Sequence, residues 1–282
     1  MNLLDLFSGI GGFSLGLERA GFETVVFVEI DPWCRRVLAK HWPGVPCYVD
    51  IRDVTADRLR ADGIARIDAI CGGFPCQDIS TAGKGAGLDG ERSGLWREYA
   101  RLIGELRPRF AIVENVGALR GRGLAAVLAD LAAIGYDAEW HAVPAAAVGA
   151  YHLRDRIWII ATACTDDDGE RRERRGFAQR SGQQSASGLE PDRLGARGWR
   201  QGPADADIAG RGSPELCGLF GPLARALAAA STPWERPTEP PILRTIHGVS
   251  TRLDRCRVKA LGNAVVPLIP ELIGRVLLEC ST

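Results

Sequence analysis

The sequence predicts an α/β protein whose mostly parallel sheet is covered by helices on both faces, with a small irregular region inserted near its end. Three observations carry this. Short apolar runs alternate with segments whose apolar residues recur at helical spacing, the pattern of a sheet wound with crossover helices. The runs end in glycine, proline or acidic residues, which mark turns. After Thr162 both periodicities give way to a stretch rich in arginine, glycine, serine and glutamine.

In order, residues 3–7 form a short apolar strand that stops at Ser8-Gly9-Ile10-Gly11-Gly12, and residues 13–20 then show helical spacing up to Gly21. Residues 25–28 are β-branched and aromatic and end at Glu29-Ile30-Asp31, before a helical pattern over 33–41. Residues 67–71 form a third strand, broken by Gly72-Gly73. Leu95, Tyr99, Leu102, Ile103 and Leu106 recur at helical spacing until Pro108, and residues 110–113 form a strand ending at Glu114-Asn115. A helix over 124–134 and strands over 140–143 and 157–161 complete the sheet. Residues 169–202 carry eight arginines against four acidic residues. The proline-rich stretch 233–241 leads to residues 259–278, where a Gly262-Asn263 turn precedes an apolar helix that packs back on the first domain. The boundaries expected are 1–163, 164–256 and 257–282.

Composition sets limits. The 282 residues are 46% hydrophobic and 25% charged, enough to bury a core in one large domain or in a main domain with a smaller one. Apolar runs such as 157–164 fall short of a bilayer span, so no transmembrane helix and no membrane partner are expected. The N-terminus lacks a basic region before an apolar stretch, so no signal peptide is expected and the site of action is cytoplasmic. Eight cysteines without a zinc-like CxxC pair are expected to be free thiols, with no metal. Basic and acidic residues number 35 each, which argues against a nucleic-acid partner only if the charge is evenly spread.

Four features fall just after predicted strands: the turn 9–12, Glu29, the Phe74-Pro75-Cys76 loop and Glu114. Ligands of open α/β sheets bind at the carboxyl ends of the strands, so the sheet brings these features together. The glycine turn lets backbone approach a cofactor, and Glu29 can accept from both hydroxyls of a ribose. The GxGxxG of dinucleotide folds is missing, so a nucleoside cofactor without a pyrophosphate fits better. Cys76 sits in a proline-fixed loop and is presented outward as a nucleophile, with Glu114 and the arginines of His152-Leu153-Arg154-Asp155-Arg156 as partners downstream.

Asp5-Leu6-Phe7-Ser8-Gly9-Ile10-Gly11-Gly12-Phe13, Glu29-Ile30-Asp31-Pro32, Gly73-Phe74-Pro75-Cys76-Gln77, Glu114-Asn115-Val116, Arg154-Asp155-Arg156 and Gly262-Asn263-Ala264-Val265 resemble, in order and spacing, the motifs of the DNA cytosine-5 methyltransferase family. The resemblance implies a Rossmann-like S-adenosylmethionine-dependent methyltransferase sheet with a small target-recognition domain. It implies S-adenosylmethionine as cofactor, S-adenosylhomocysteine as product, and transfer to C5 of a flipped-out cytosine in a specific duplex sequence. Cytosine C5 is too weak a nucleophile to be methylated directly, so a thiolate must first add at C6. Cys76 is assigned that attack, Glu114 the hydrogen bond or proton at N3, and Arg156 the cation at O2. Arg154, grouped with these catalytic residues, supports Glu114 and the site's electrostatics.

By the same resemblance Phe7, Gly9, Ile10, Gly11, Gly12 and Pro75 line the cofactor, Glu29 holds its ribose and Ile30 packs on its adenine. Asp50 takes the adenine amino group with Ile51 beside it, and Leu95, Asn263 and Val265 add further contacts. Gln77, Ser80 and Arg92 approach the DNA. The insert 164–256 takes the place of the target-recognition region, its arginines suited to phosphate and guanine. It is short for the family, so a minimal or weakly specific recognition domain is one outcome.

Three departures stand out: His152 replaces a glutamine, Ala264 replaces a serine, and the motif that normally precedes the terminal segment is not recognisable around 241–252. The expected partners are double-stranded DNA and a cognate restriction endonuclease acting separately. The expected assembly is a monomer, bacterial or phage-encoded and associated with the nucleoid. The alternatives are a transfer-RNA cytosine-5 methyltransferase of the same fold and a catalytically silent DNA-binding relative. Neither of these fits as well, since the variable insert suits DNA and a binding module needs no exposed thiolate.

Overall fold

β1 (Asn2–Leu6) is apolar except for Asn2 and Asp5 and is buried from Leu3 onward, as a strand covered on both faces must be. A glycine turn connects it to α1 (Gly12–Ala20), which ends on Gly21 in the left-handed region. β2 (Glu23–Val28) leads to α2 (Pro32–His41), whose start is set by the Asp31 carboxylate accepting from the Trp33 and Cys34 N–H groups with Pro32 at the first helical position. β3 (Cys47–Tyr48), a 3₁₀ turn (Ile51–Asp53) and α3 (Ala56–Ala61) follow. Then come β4 (Ala69–Gly73), α4 (Gly94–Leu106), β5 (Phe110–Val116), α5 (Leu119–Arg122), α6 (Leu124–Ala133), β6 (Tyr136–Pro144) and β7 (Asp155–Ala163). Two helices, α7 (Thr251–Asn263) and α8 (Leu268–Glu279), close the described chain. This computed structural model describes residues 1–64, 66–75, 94–150, 152–164, 222, 225–226 and 251–279, the backbone alone for 251–255 and 258.

The seven strands form one sheet in the order β3-β2-β1-β4-β5-β7-β6. β1 to β5 are parallel, while β7 runs antiparallel to β5 and β6 to β7. The sheet is therefore mixed at one edge and wound in both directions from β1, which places a topological switch point between β1 and β4. One face carries a core built with Leu59, Trp96, Tyr99, Leu102, Leu124 and Leu131 from α3, α4 and α6. The other carries Phe13 and Leu17 of α1 with Ile269, Ile273, Val276 and Leu277 of α8. Helices thus cover both faces.

Two compact units divide the chain, Met1–Ala163 with Gly218–Thr282, and Cys164–Cys217. All the elements above belong to the first, and the second lies outside the described residues apart from Cys164.

The strands run longer than the apolar patterns suggest. Gly72 and Gly73 do not break β4 but complete it, because these glycines admit their neighbours: a Cβ at Gly72 would lie 2.3 Å from the Leu6 carbonyl oxygen and one at Gly73 2.5 Å from Glu114 Oε2. Glu114 and Asn115 likewise lie inside β5, opposite Trp158 and Ile157 of β7. Gly262-Asn263 is not a turn but the last part of α7, and the helical backbone is interrupted over 264–267 instead. There Pro267 opens α8, and Glu271 N–H donates to the Pro267 carbonyl.

The stretch Lys259–Glu279 is long and apolar enough by composition to cross a membrane. Here it is two helices separated by 264–267, and α8 lies against α1 so closely that a Cβ at Gly16 would sit 2.2 Å from the Pro267 carbonyl oxygen. A core helix passes the same test of composition.

Candidate active site

The carboxyl ends of β2, β1, β4 and β5 and the amino end of antiparallel β7 meet along one edge of the sheet, because β7 enters where β5 leaves. Leu6 pairs with Gly72, Gly73 with Glu114, and Val116 with Arg156. The turn after β1 and the acid on β5 are thus two strand spacings apart, about 10 Å.

On the β1–β2 side, the chain leaves β1 through Phe7 with φ of 53° and then turns at Gly9 (φ 55°) and Gly11 (φ 82°). Ser8 pins the turn, its hydroxyl donating to the Asp5 carbonyl at 2.6 Å. Glu29 is buried and held by main chain at both oxygens: Oε2 accepts from Gly9 N–H and Oε1 from Asp31 N–H, each at 2.7 Å. Each oxygen keeps a second acceptor site. Nothing lies within 4 Å of a Cβ built on Gly9, and Ile30 next to Glu29 is 68% exposed. An oriented carboxylate beside open glycine backbone and an exposed aliphatic side chain fits a ribose diol carrying a flat base.

Asp50 carries a different engagement. Its Oδ1 accepts from Arg52 N–H and Nε at 3.0 Å and its Oδ2 from Nη2 at 2.5 Å, and this pairing holds its carboxyl below the usual range. Ile51 buries its side chain in the core, so only its backbone is available to a ligand. Gly11 is backed by Trp42, whose indole N–H donates to Glu18. Leu95 is packed against the first core, Asn263 is exposed, and Ile10 and Val265 are half-buried.

On the β4–β5 side, Glu114 is 8% exposed and its Oε1 lies 2.8 Å from Arg156 Nε. Burial pushes its carboxyl up to about 7, outweighing the opposing pull of Arg156 and Arg154. The two influences leave a group that holds or releases a proton near neutrality. The side-chain amide of Asn115 donates to the Phe74 carbonyl at 3.0 Å, which ties the chain entering Pro75 to the strand carrying Glu114. Phe74 is itself anchored in the core on Trp96, and Pro75 is exposed. Cys76, Gln77, Ser80 and Arg92 lie outside the described residues.

The ion pair with Glu114 is made by Arg156, which stands on β7 at the register of Val116; Arg154 precedes the strand. Arg154, with φ of 36°, sends Nη1 to the Gly262 carbonyl and Nη2 to the Ala264 carbonyl, both at 2.7 Å.

Several contributors are not apparent from spacing. Asn115 as a tie and Arg35, which donates to the Glu29 and Ile30 carbonyls, show only once the strands are assembled. Asp31 is legible locally, since an Asp-Pro pair before an apolar period is a helix start.

Asp5 lies fully buried beneath the turn. Its Oδ2 accepts from the Ser14 hydroxyl at 2.7 Å, while Oδ1 has no hydrogen-bond partner and Cys71 is its neighbour on β4. Burial pushes this carboxyl from 3.8 up to about 7. The folded state therefore binds this proton more tightly than the unfolded chain, so stability rises as pH falls from about 7 toward 4 and is lowest above 7. Between pH 8 and 5.5 the gain from Asp5 is about 2 kcal/mol, and Glu114 contributes in the same direction. Asp5→Asn is expected to remove roughly half of that pH dependence in denaturant unfolding. An unchanged slope would show that Asp5 is ionised throughout.

Relatives share this framework. The type II methyltransferase M2.BsuMI of Bacillus subtilis is 35% identical over 174 residues, which cover 59% of this chain and 43% of that protein. M.AquIA of Picosynechococcus sp. is 34% identical over 174 residues, 56% of this chain and 70% of that protein. The chain thus spans less than half the length of the Bacillus protein. In solved structures the fold is similar to Entamoeba histolytica methyltransferase EhMeth, with TM-score 0.51, 16% identity, and coverage of 58% of this chain and 53% of that one. It is also similar to the S. pombe Dnmt2 methyltransferase, with TM-score 0.50, 20% identity, and coverage of 60% and 54%. A sequence model described as C-5 cytosine-specific DNA methylase matches residues 1–185, and the chain belongs to that family.

Proposed function

We propose that the chain transfers a methyl group from S-adenosylmethionine to C5 of a cytosine flipped out of a specific duplex DNA sequence, through a covalent adduct between Cys76 and C6. The observation that supports this most is the pair of buried Glu114 with half-buried Arg156, whose strand Asn115 ties to the residue two before Cys76. A proton-holding acid and a fixed guanidinium next to a nucleophile loop are what C6 addition requires.

In this reading the Cys76 thiolate adds to C6, and the C5–C6 π electrons move toward C4 and N3. Glu114 donates the hydrogen bond or proton at N3, and the Arg156 guanidinium holds O2, so the charge that develops is met by groups already in place. C5 is then the nucleophilic carbon of an enamine. When bound, S-adenosylmethionine supplies an electrophilic methyl group and leaves as S-adenosylhomocysteine. Afterwards the C5 proton passes to a base, Cys76 is expelled as thiolate, and the N3 proton returns to Glu114. Glu29 orients the ribose, Ile30 covers the adenine, and Phe7, Gly9, Ile10, Gly11 and Gly12 form the floor, with Asp50, Ile51, Pro75, Leu95, Asn263 and Val265 around it.

A stacked base cannot reach this crevice, so the target is extruded. Gln77, Ser80 and Arg92 then contact DNA, and residues 164–256 read its sequence between a catalytic part over 1–163 and a terminal part over 257–282. Action as a monomer on the nucleoid, with a separate cognate endonuclease, completes the proposal.

The test is to incubate the protein with labelled cofactor and duplex DNA of random sequence and to map modified bases. C5-methylcytosine at one recurring sequence is expected. Binding of cofactor without any C5-methylcytosine, or label entering RNA alone, would overturn the proposal.

A further inference from the structure

We propose that Arg154 is a positioning residue that couples the Glu114–Arg156 pair to the cofactor turn, by clamping the link between α7 and α8 against the first residue of α1. The inference rests on the cofactor reading above.

Gly262 and Ala264 lie at the carboxyl end of α7, where the last carbonyls of a helix have no partner within it and carry the negative end of its dipole. The two Nη groups of Arg154 satisfy both carbonyls at 2.7 Å, at sequence separations of 108 and 110. A planar fork can meet two carbonyls at once, whereas an ammonium on a flexible stem cannot hold the same pair of directions. The bonds persist against a left-handed backbone at Arg154, an uncommon conformation for a residue with a side chain.

Val265 follows directly. A Cβ built on Gly12 would lie 3.0 Å from Val265 Cγ2 and 3.1 Å from its carbonyl oxygen, so Val265 is seated on the residue that opens α1. That residue ends the turn whose Gly9 N–H donates to Glu29. One helical turn earlier on α7, Lys259 Nζ stands 3.7 Å from Asp31 Oδ2, beside the same Glu29 segment. The route therefore runs from Glu114 and Arg156, through Arg154 just before β7, to residues 264–267 and Gly12. Arg154 also feels both partners electrostatically: burial and then Arg156 push its guanidinium down, and Glu114 acts the other way.

Calorimetry with S-adenosylhomocysteine in the absence of DNA tests this directly. Arg154→Lys, which keeps the charge but loses one of two charge-assisted bonds, is expected to weaken binding about tenfold. Its kcat at saturating cofactor should fall less than about threefold, since no transition-state contact is removed. Arg156→Lys should show the opposite split, with binding unchanged and kcat reduced. Because Arg154 and Val265 act along one route, Arg154→Lys with Val265→Ala should weaken binding by clearly less than the product of the two single effects, and the same cycle can be read from ligand-induced shifts in Tm if the variants are less stable. Additive effects, or Arg154→Lys with unaltered binding beside a wild type that binds, would overturn this inference alone. A wild type that binds no S-adenosylhomocysteine would overturn the cofactor reading and this inference with it.

Discussion

Cys76→Ser is expected to reduce methyl transfer by roughly 10⁴-fold or more, while affinity for S-adenosylhomocysteine stays within about twofold. The asymmetry follows from the chemistry. A thiol with an ordinary value near 8.5 is partly ionised at neutral pH and is intrinsically nucleophilic, whereas a serine hydroxyl needs a base at its side. Glu114 is paired with Arg156, and the proposed mechanism engages it at N3. In the proposed reading the cofactor is held by the turn after β1, by Glu29 and by residues 264–267, so removing the Cys76 sulfur is expected to leave its binding intact. Duplex DNA carrying 5-fluorocytosine should trap the wild type as a covalent complex, because no C5 proton remains to be removed, and Cys76→Ser should not be trapped. Transfer by the serine variant at a rate within tenfold of the wild type would rule out the covalent route.

The second large effect is expected at Glu114. Glu114→Gln keeps the size of the side chain and an oxygen for Arg156 but removes the exchangeable proton, and kcat should fall by about 10²–10⁴-fold. With its carboxyl held at about 7, the wild type should lose the protonated form as pH rises through 7. Its kcat/KM profile should show a falling limb there, and the glutamine variant should lack that limb. Glu114→Ala is the poorer test, since it leaves the half-buried Arg156 guanidinium without its partner and mixes a loss of stability with the loss of the proton. A glutamine variant with near wild-type kcat would assign the N3 proton to another group.

The alternation of apolar runs with helical spacing located most of the strands and helices. It missed the two-residue β3, the six-residue α3 and the one-turn α5, which are too short to show a period. It also ended β4 and β5 too early. Gly72, Gly73, Glu114 and Asn115 read as breakers or loop residues because a strand pattern assumes side chains that pack. Here two are glycines that admit neighbouring backbone and a carboxylate, and two are polar groups satisfied across strands.

By itself the sequence determined that this is an α/β sheet wound with helices, and that a glycine turn, an acid after the second strand, the Phe74-Pro75 pair and a second acid share its carboxyl edge. Those statements rest on local matters: which residues can be buried on both faces, which can turn, and where strands must end. Only the tertiary structure decided the partners. Arg156 and not Arg154 pairs with Glu114, Asn115 ties Phe74, and Gly262-Asn263 is helix, with the Gly262 and Ala264 carbonyls held by Arg154. The physical reason is that the antiparallel entry of β7 beside β5, and the docking of α8 on α1, set which side chains meet across more than a hundred residues, and no spacing along the chain encodes that register.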